Sequence, residues 1–284
     1  MDDRRAPWLT EQRLLAFSGT VFLACVAVFI AIPILVTLAM SFNKAAAIRF
    51  PIREWSPGWY LEFAASPQWT DALKNSLIIA SGTMVVATIA GTAAAWAFDR
   101  YQFRFKVSIY LLIMLPLFLP GVVLGLGIAI TFNDLSFFGF QIYGSRLVVI
   151  LAHSIWATPL VFMVMESVFR SVNAELIDAS SDLGAGPART FVEVVMPMVR
   201  TGILASALFA FVVSLNEFMM ALFLTTRDTQ TLPVLMWLSL RSAATPNLAV
   251  AAVLLSGTVF AGIGLVAAVA ATSRKFHLAR GGNF

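Results

Sequence analysis

Long apolar runs broken by short polar stretches set the pattern of this 284-residue chain. Residues 14–43, 75–98, 107–133, 147–165 and 242–273 carry no charged side chain, and a sixth run, 201–226, is interrupted only by Glu217. A helix needs roughly 20 apolar residues to cross a hydrocarbon core of about 30 Å, so each run is long enough to span a bilayer. The pattern predicts six transmembrane helices over about 14–42, 73–98, 107–132, 147–169, 198–225 and 248–273. They form one membrane domain, 14–273, between a short N-terminal segment, 1–13, and a tail, 274–284. No intervening loop is long enough to hold an independent catalytic domain.

Composition agrees. Hydrophobic residues make up 60% of the chain and charged ones 12%, against about 25% charged in soluble domains. With a cytoplasmic N-terminus, the inside segments hold Arg4, Arg5, Arg13, Arg100, Arg104, Lys106, Arg170, Arg189, Arg200, Arg274, Lys275 and Arg280. Lys44, Arg49, Arg53, Lys74, Arg146, Arg227 and Arg241 are left outside, a division that satisfies the positive-inside rule with both termini cytoplasmic. The sequence pI of about 9.6 then follows from topology and anionic headgroups, and no nucleic-acid partner is implied. The first run is about twice the apolar core of a signal peptide and lacks a small-residue cleavage site, so it reads as a retained helix. The single cysteine, Cys25, lies inside it and supports neither a disulfide framework nor a cysteine metal site.

The outside loops read as interfacial. Residues 44–71 carry Trp55, Trp59, Tyr60 and Trp69 among Pro51, Pro57 and Pro67, a composition suited to the headgroup zone. In the third, 226–247, the stretch from Leu232 to Trp237 is apolar enough to return to the interface.

The inside loop, 170–196, differs from these. Asn173 suits an N-cap, Glu175 falls in the first turn, where a helix N-terminus favours anions, and Gly184 suits the left-handed residue that ends a helix. The spacing predicts a helix of about ten residues, with Leu176, Ile177, Ala179 and Leu183 as an apolar stripe and Glu175, Asp178 and Asp182 opposite. Lipid-surface helices usually present Lys and Arg, so the anionic face argues against a membrane-surface role.

Asp178-Ala179-Ser180, Leu183-Gly184-Ala185, Phe191, Val194, Pro197 and Gly202-Ile203 resemble the cytoplasmic loop signature of permease subunits of binding-protein-dependent ABC importers. Asp178 stands where that family usually has Glu, and Ser180 where it usually has Ala. Ser41-Phe42-Asn43, Asn75-Ser76-Leu77, Ala94 to Phe98, Leu115 to Pro120, Ala152-His153 and Ser214 to Phe218 extend the likeness to the spermidine/putrescine branch, which also includes carriers of opines and aminophosphonates. The resemblance implies an all-α membrane protein of type I importer (MetI-like) architecture in a bacterial inner membrane. Its coupling helix would engage an ATPase through Glu175, Asp178, Ala179, Asp182, Leu183, Gly184 and Ala185. It further implies two ATPase copies, a related but non-identical second permease, and a periplasmic or lipid-anchored solute-binding protein.

No glycine is followed by lysine, so the chain has no phosphate-binding P-loop of its own and nucleotide must be hydrolysed elsewhere. There is no Gly-x-Ser of the intramembrane-protease kind, and the two histidines lack zinc-ligand spacing. The reading is a transport subunit without cofactor, metal or catalytic residues of its own. Polar groups inside hydrocarbon are costly and mark pathways, which makes Asp134, His153, Asn216 and Glu217 the candidate solute contacts. His153 and Glu217 fall about seven and nine residues from the outer ends of their spans, about 10–14 Å deep. Both can also be read as groups bonded to neighbouring helices. An ion-coupled secondary transporter is the competing reading; it would carry an internal repeat, and none is evident between the two halves.

Overall fold

The computed structural model describes residues 7–46, 51–133, 136–137, 140–242 and 245–281. Twelve helices follow one another among them: α1 (Pro7–Ser41), α2 (Gly58–Ala65), α3 (Pro67–Arg100), α4 (Lys106–Met114), α5 (Gly121–Asn133), α6 (Arg146–Arg170), α7 (Ala174–Asp182), α8 (Pro187–Thr190), α9 (Met196–Asn216), α10 (Met219–Leu224), α11 (Leu232–Ser242) and α12 (Asn247–Gly281). A two-stranded antiparallel ladder, pairing Ser136 with Gln141 and Phe137 with Phe140, is the exception to this helical chain. Five helical stretches are long and apolar enough to cross a membrane, and a bent pair makes up to six.

The centre is the packing of α3, α6 and α9. Ala87, Ala95 and Phe98 of α3 meet Val161, Phe162 and Met165 of α6 and Val199 and Ala210 of α9, all buried. Small residues allow that approach, since helices in lipid gain little from apolar burial and associate through close contact. A Cβ on Gly91 would lie 3.0 Å from the backbone nitrogen of Phe162 and 2.7 Å from Val161 Cγ1. Helix α1 stands apart and packs chiefly on α12, leaving Phe17, Phe22 and Phe29 exposed.

Two spans are broken. Between 106–118 and 121–133 the third turns by 100°. Leu119 precedes Pro120 and is extended, with ψ 130°, because a residue before proline is pushed out of the helical region. Pro116 sits in a one-turn 3-10 segment, Leu115–Phe118, and its carbonyl accepts a hydrogen bond from the Trp156 indole at 3.0 Å. The fifth span opens on a π-turn, Phe191–Val195, runs through α9, breaks at Glu217 and Phe218, and resumes as α10. Several hydroxyls along the spans bond back to their own turn, as Thr158 does to the Ser154 carbonyl at 2.7 Å, and so cost little at membrane depth, whereas those of Thr88 and Thr92 are buried without a hydrogen-bond partner.

Buried side chains tie together the loops predicted to lie outside. Asn75 donates to the carbonyls of Asp228 (2.9 Å) and Gln230 (3.0 Å) and accepts from Arg146 (2.7 Å), while the Ser76 hydroxyl accepts the Leu232 N–H at 2.8 Å. The aromatic first loop is partly folded in: Tyr60 shares a 2.8 Å hydrogen bond with Ser41, and Phe63 and Trp69 are buried together, whereas Trp55 stays exposed. Leu232, Val234 and Leu235 of the last outer loop are buried in α11. The exposed Lys44 ammonium lies 2.6 Å from Glu54; that hydrogen bond, then the charge attraction, raises the lysine pKa and lowers the carboxyl's.

Candidate functional site

Helix α7 is built by its own sequence. The Asn173 side chain accepts the Glu175 N–H at 3.0 Å and caps the first turn. At the other end Gly184 has φ +83°, its N–H bonds to the Ser181 carbonyl (2.9 Å) and the Ala185 N–H to that of Ser180 (3.1 Å), the paired bonds of a Schellman stop. A Cβ there would strain the left-handed backbone, not the surroundings, which are empty.

The expected apolar stripe divides. Ile177 is buried, 5% exposed, against the bundle, while Leu176 and Leu183 are 48% and 89% exposed and Ala179 faces solvent. One stripe on a helical wheel becomes two faces because the base of the bundle receives only the Ile177 side. Glu175, Asp178 and Asp182 are exposed, Ala185 half-buried, and Asp178 lies 3.4 Å from Arg100 at the end of α3. Below α7, Ser180 bonds Thr190 (3.0 Å), and Trp96 packs between Phe169 and Phe191, with ring centres 5.3 and 5.2 Å away. The loop helix therefore rests on the Arg100 end of the second span, the Arg170 end of the fourth and the start of the fifth.

Towards the opposite end of the bundle, His153 and Glu217 meet. Imidazole Nε2 lies 3.1 Å from Glu217 Oε2, off the line an N–H bond would take, and Nδ1 is 2.8 Å from the Ser214 hydroxyl. The Glu217 carboxylate also accepts the N–H groups of Met220 (2.9 and 3.0 Å) and Ala221 (3.1 Å), which caps α10. Its side chain is 3% exposed and that of His153 1%, so this is a closed polar knot. Ser214 belongs to the family-like stretch but not to the four candidate solute contacts; its position one turn before Glu217 is the available signal.

Asn216 points elsewhere. Its amide donates to the Val212 carbonyl at 2.8 Å, and the residue lines a cleft of about 400 Å³. Ile34, Met236, Leu255 and Phe260 form its apolar walls, with Ser256 as the other polar group. Of the four candidate solute contacts, then, His153 and Glu217 are brought together and buried, Asn216 faces a cleft, and Asp134 lies outside the described residues.

Comparison with known proteins fits this geometry. The chain is 30% identical to the putrescine transport system permease protein PotI of Escherichia coli K12, over 90% of this chain and 88% of that protein. It is 24% identical to the spermidine/putrescine transport system permease protein PotC of Haemophilus influenzae, over 81% of this chain and 88% of the relative. Its fold matches a chain of a bacterial alginate ABC transporter solved with its pentasaccharide-bound periplasmic protein, with TM-score 0.70 and 16% identity, covering 93% of this chain and 96% of the other. Residues 87–275 match the family described as binding-protein-dependent transport system inner membrane component. The chain belongs to that family, the multi-pass inner-membrane permease subunits of ABC importers.

Proposed function

We propose that this permease carries a small cationic or zwitterionic solute, a polyamine or related amine, into the cytoplasm. The observation that carries the reading is the 30% identity to a putrescine permease along nine-tenths of the chain. One such subunit supplies half a pathway, so it works beside a second, related but non-identical permease. A soluble binding protein delivers solute from outside, and two ATPase copies act from inside. Both termini lie in the cytoplasm, as the cation distribution supports.

In this account α7 is the coupling helix. Leu176 and Leu183 offer exposed apolar side chains, and Glu175 and Asp182 the charged rim, to a cleft on the ATPase. Closure of the ATP-loaded pair draws the coupling helices together. The motion passes through Ile177 and the Trp96–Phe169–Phe191 stack to the inner ends of three spans, and the pathway turns outward to receive solute. Hydrolysis returns it.

Asn216 is the solute contact favoured among the sequence candidates. With one amide hydrogen bonded to the Val212 carbonyl, its side-chain carbonyl is left to accept from an ammonium, and Phe260 in the same cleft offers a ring face for a cation–π contact. Reconstitution with the co-purified partners in liposomes tests the reading. Uptake of labelled putrescine should require both ATP and the binding protein. Uptake that survives ATP removal and collapses with an ion gradient would instead identify a secondary transporter.

A further inference from the structure

Three spans change course or make contact at one point near Glu217. The third has just turned at Leu119-Pro120 when Gly121 passes the break in the fifth: a Cβ on Gly121 would lie 3.2 Å from Met219 Cβ and 3.5 Å from Glu217 Oε1. One turn on, a Cβ on Gly125 would come within 2.9 Å of Met220 Cα, so α5 and α10 touch backbone to backbone. The fourth span contributes His153, and α9 contributes Ser214. Gly121 and Gly125 pack α10 on the third span, Glu217 brings the start of α10 against the His153 ring of the fourth, and Ser214 bonds that ring from α9, so Glu217 stands where the three spans meet.

A solute ligand must be reachable, and this carboxylate is not. Its oxygens accept the Met220 and Ala221 N–H groups and lie against the His153 ring, all within the chain itself. The residue before it, Asn216, faces the cleft, so the helix end directs two adjacent polar side chains to opposite jobs. We propose that Glu217, packed against a His153 ring that Ser214 orients, is a positioning residue for transport: it locks the outer segment Met219–Leu224 against the bent third span and does not touch the solute.

The consequence for transport is mechanical. With the lock intact, α5 and α10 move with the fourth span as one outer body when the pathway changes sides. Tyr143, whose hydroxyl donates to the Phe223 carbonyl at 2.8 Å, ties the far end of α10 to the same body. Without the lock, α10 loses both its cap and its anchor on His153, and the outer half of the fifth span no longer follows the inner half.

The proposal rests on the permease reading above, and its test separates the two. The complete importer, with its ATPase, second permease and binding protein, is reconstituted with this chain carrying Cys25→Ser and Met219→Cys. Glu217→Gln and Glu217→Ala are compared in that background. Glutamine keeps an oxygen acceptor for the two N–H groups but not the charge; alanine keeps neither. The expected result is ATP-dependent putrescine uptake within about threefold of the parent for glutamine and about tenfold or more below it for alanine. A membrane-impermeant maleimide should label Met219→Cys at an altered rate in the alanine variant and at the parental rate in the glutamine variant. Glutamine as damaging as alanine, or alanine with parental uptake and labelling, would overturn the proposal. If alanine prevents assembly, the glutamine variant decides alone, by transporting or failing to transport. A parent that takes up no putrescine counts against the polyamine reading, and the maleimide rates still judge the lock.

Discussion

At the outer end of the fifth span Glu217 is enclosed by three N–H bonds and an imidazole; at the inner end of the preceding loop Leu183 stands 89% exposed beside Asp182. Both regions interrupt an apolar sequence with acidic residues, and both end a helix. The first meets most of its polar demand within the chain and the second presents its side chains to solvent. A polar group buried with its partners has no capacity left for a ligand, whereas exposed apolar side chains on a rigidly capped helix retain theirs. Polarity at membrane depth alone does not locate a pathway. The direction in which the group's remaining valence points does.

The contrast can be broken by substitution. Glu217→Ala should have the largest effect, leaving the Met220 and Ala221 N–H groups without their side-chain acceptor at a cost of about 1–3 kcal/mol each. It would appear as a lowered unfolding temperature of the assembled complex. Leu183→Asp should leave that temperature unchanged and weaken ATPase association by about 2 kcal/mol, the scale of burying one leucine, measured by co-purification at graded ATPase concentration. Gly184→Val forces a branched side chain into a left-handed backbone, costing about 1–2 kcal/mol, and loosens α7. Faster proteolysis of the loop and reduced solute-stimulated ATP hydrolysis should accompany it. Arg100→Gln removes a surface pair 3.4 Å long and should change both quantities by less than about 1 kcal/mol.

Much of the fold was legible because its signals are local. Charge-free runs located the apolar helices, and Asn173 and Gly184 announced the two ends of α7, since caps and left-handed stops act on neighbouring residues. A proline such as Pro120 is local evidence for a bend in the third span, but not for one of 100°, because the amplitude depends on how α5 packs against α10. The helical wheel of α7 gave Leu176, Ile177 and Leu183 one stripe; only the shape of the bundle base decides that Ile177 alone is covered. The knot at Glu217 was less visible. His153 and Ser214 are brought together by the packing of the fourth and fifth spans, and nothing in the sequence states that adjacent Asn216 and Glu217 face apart.

The central claim is that this chain works as one permease among partners that hydrolyse ATP and deliver solute. Mild-detergent purification of the tagged chain from its native membranes, with mass spectrometry of the proteins that accompany it, tests this most directly. The account predicts a P-loop ATPase and a second, related six-span permease in the same complex, with the ATPase lost from the Leu183→Asp variant. Recovery of the chain alone from intact membranes, in repeated preparations, would contradict it.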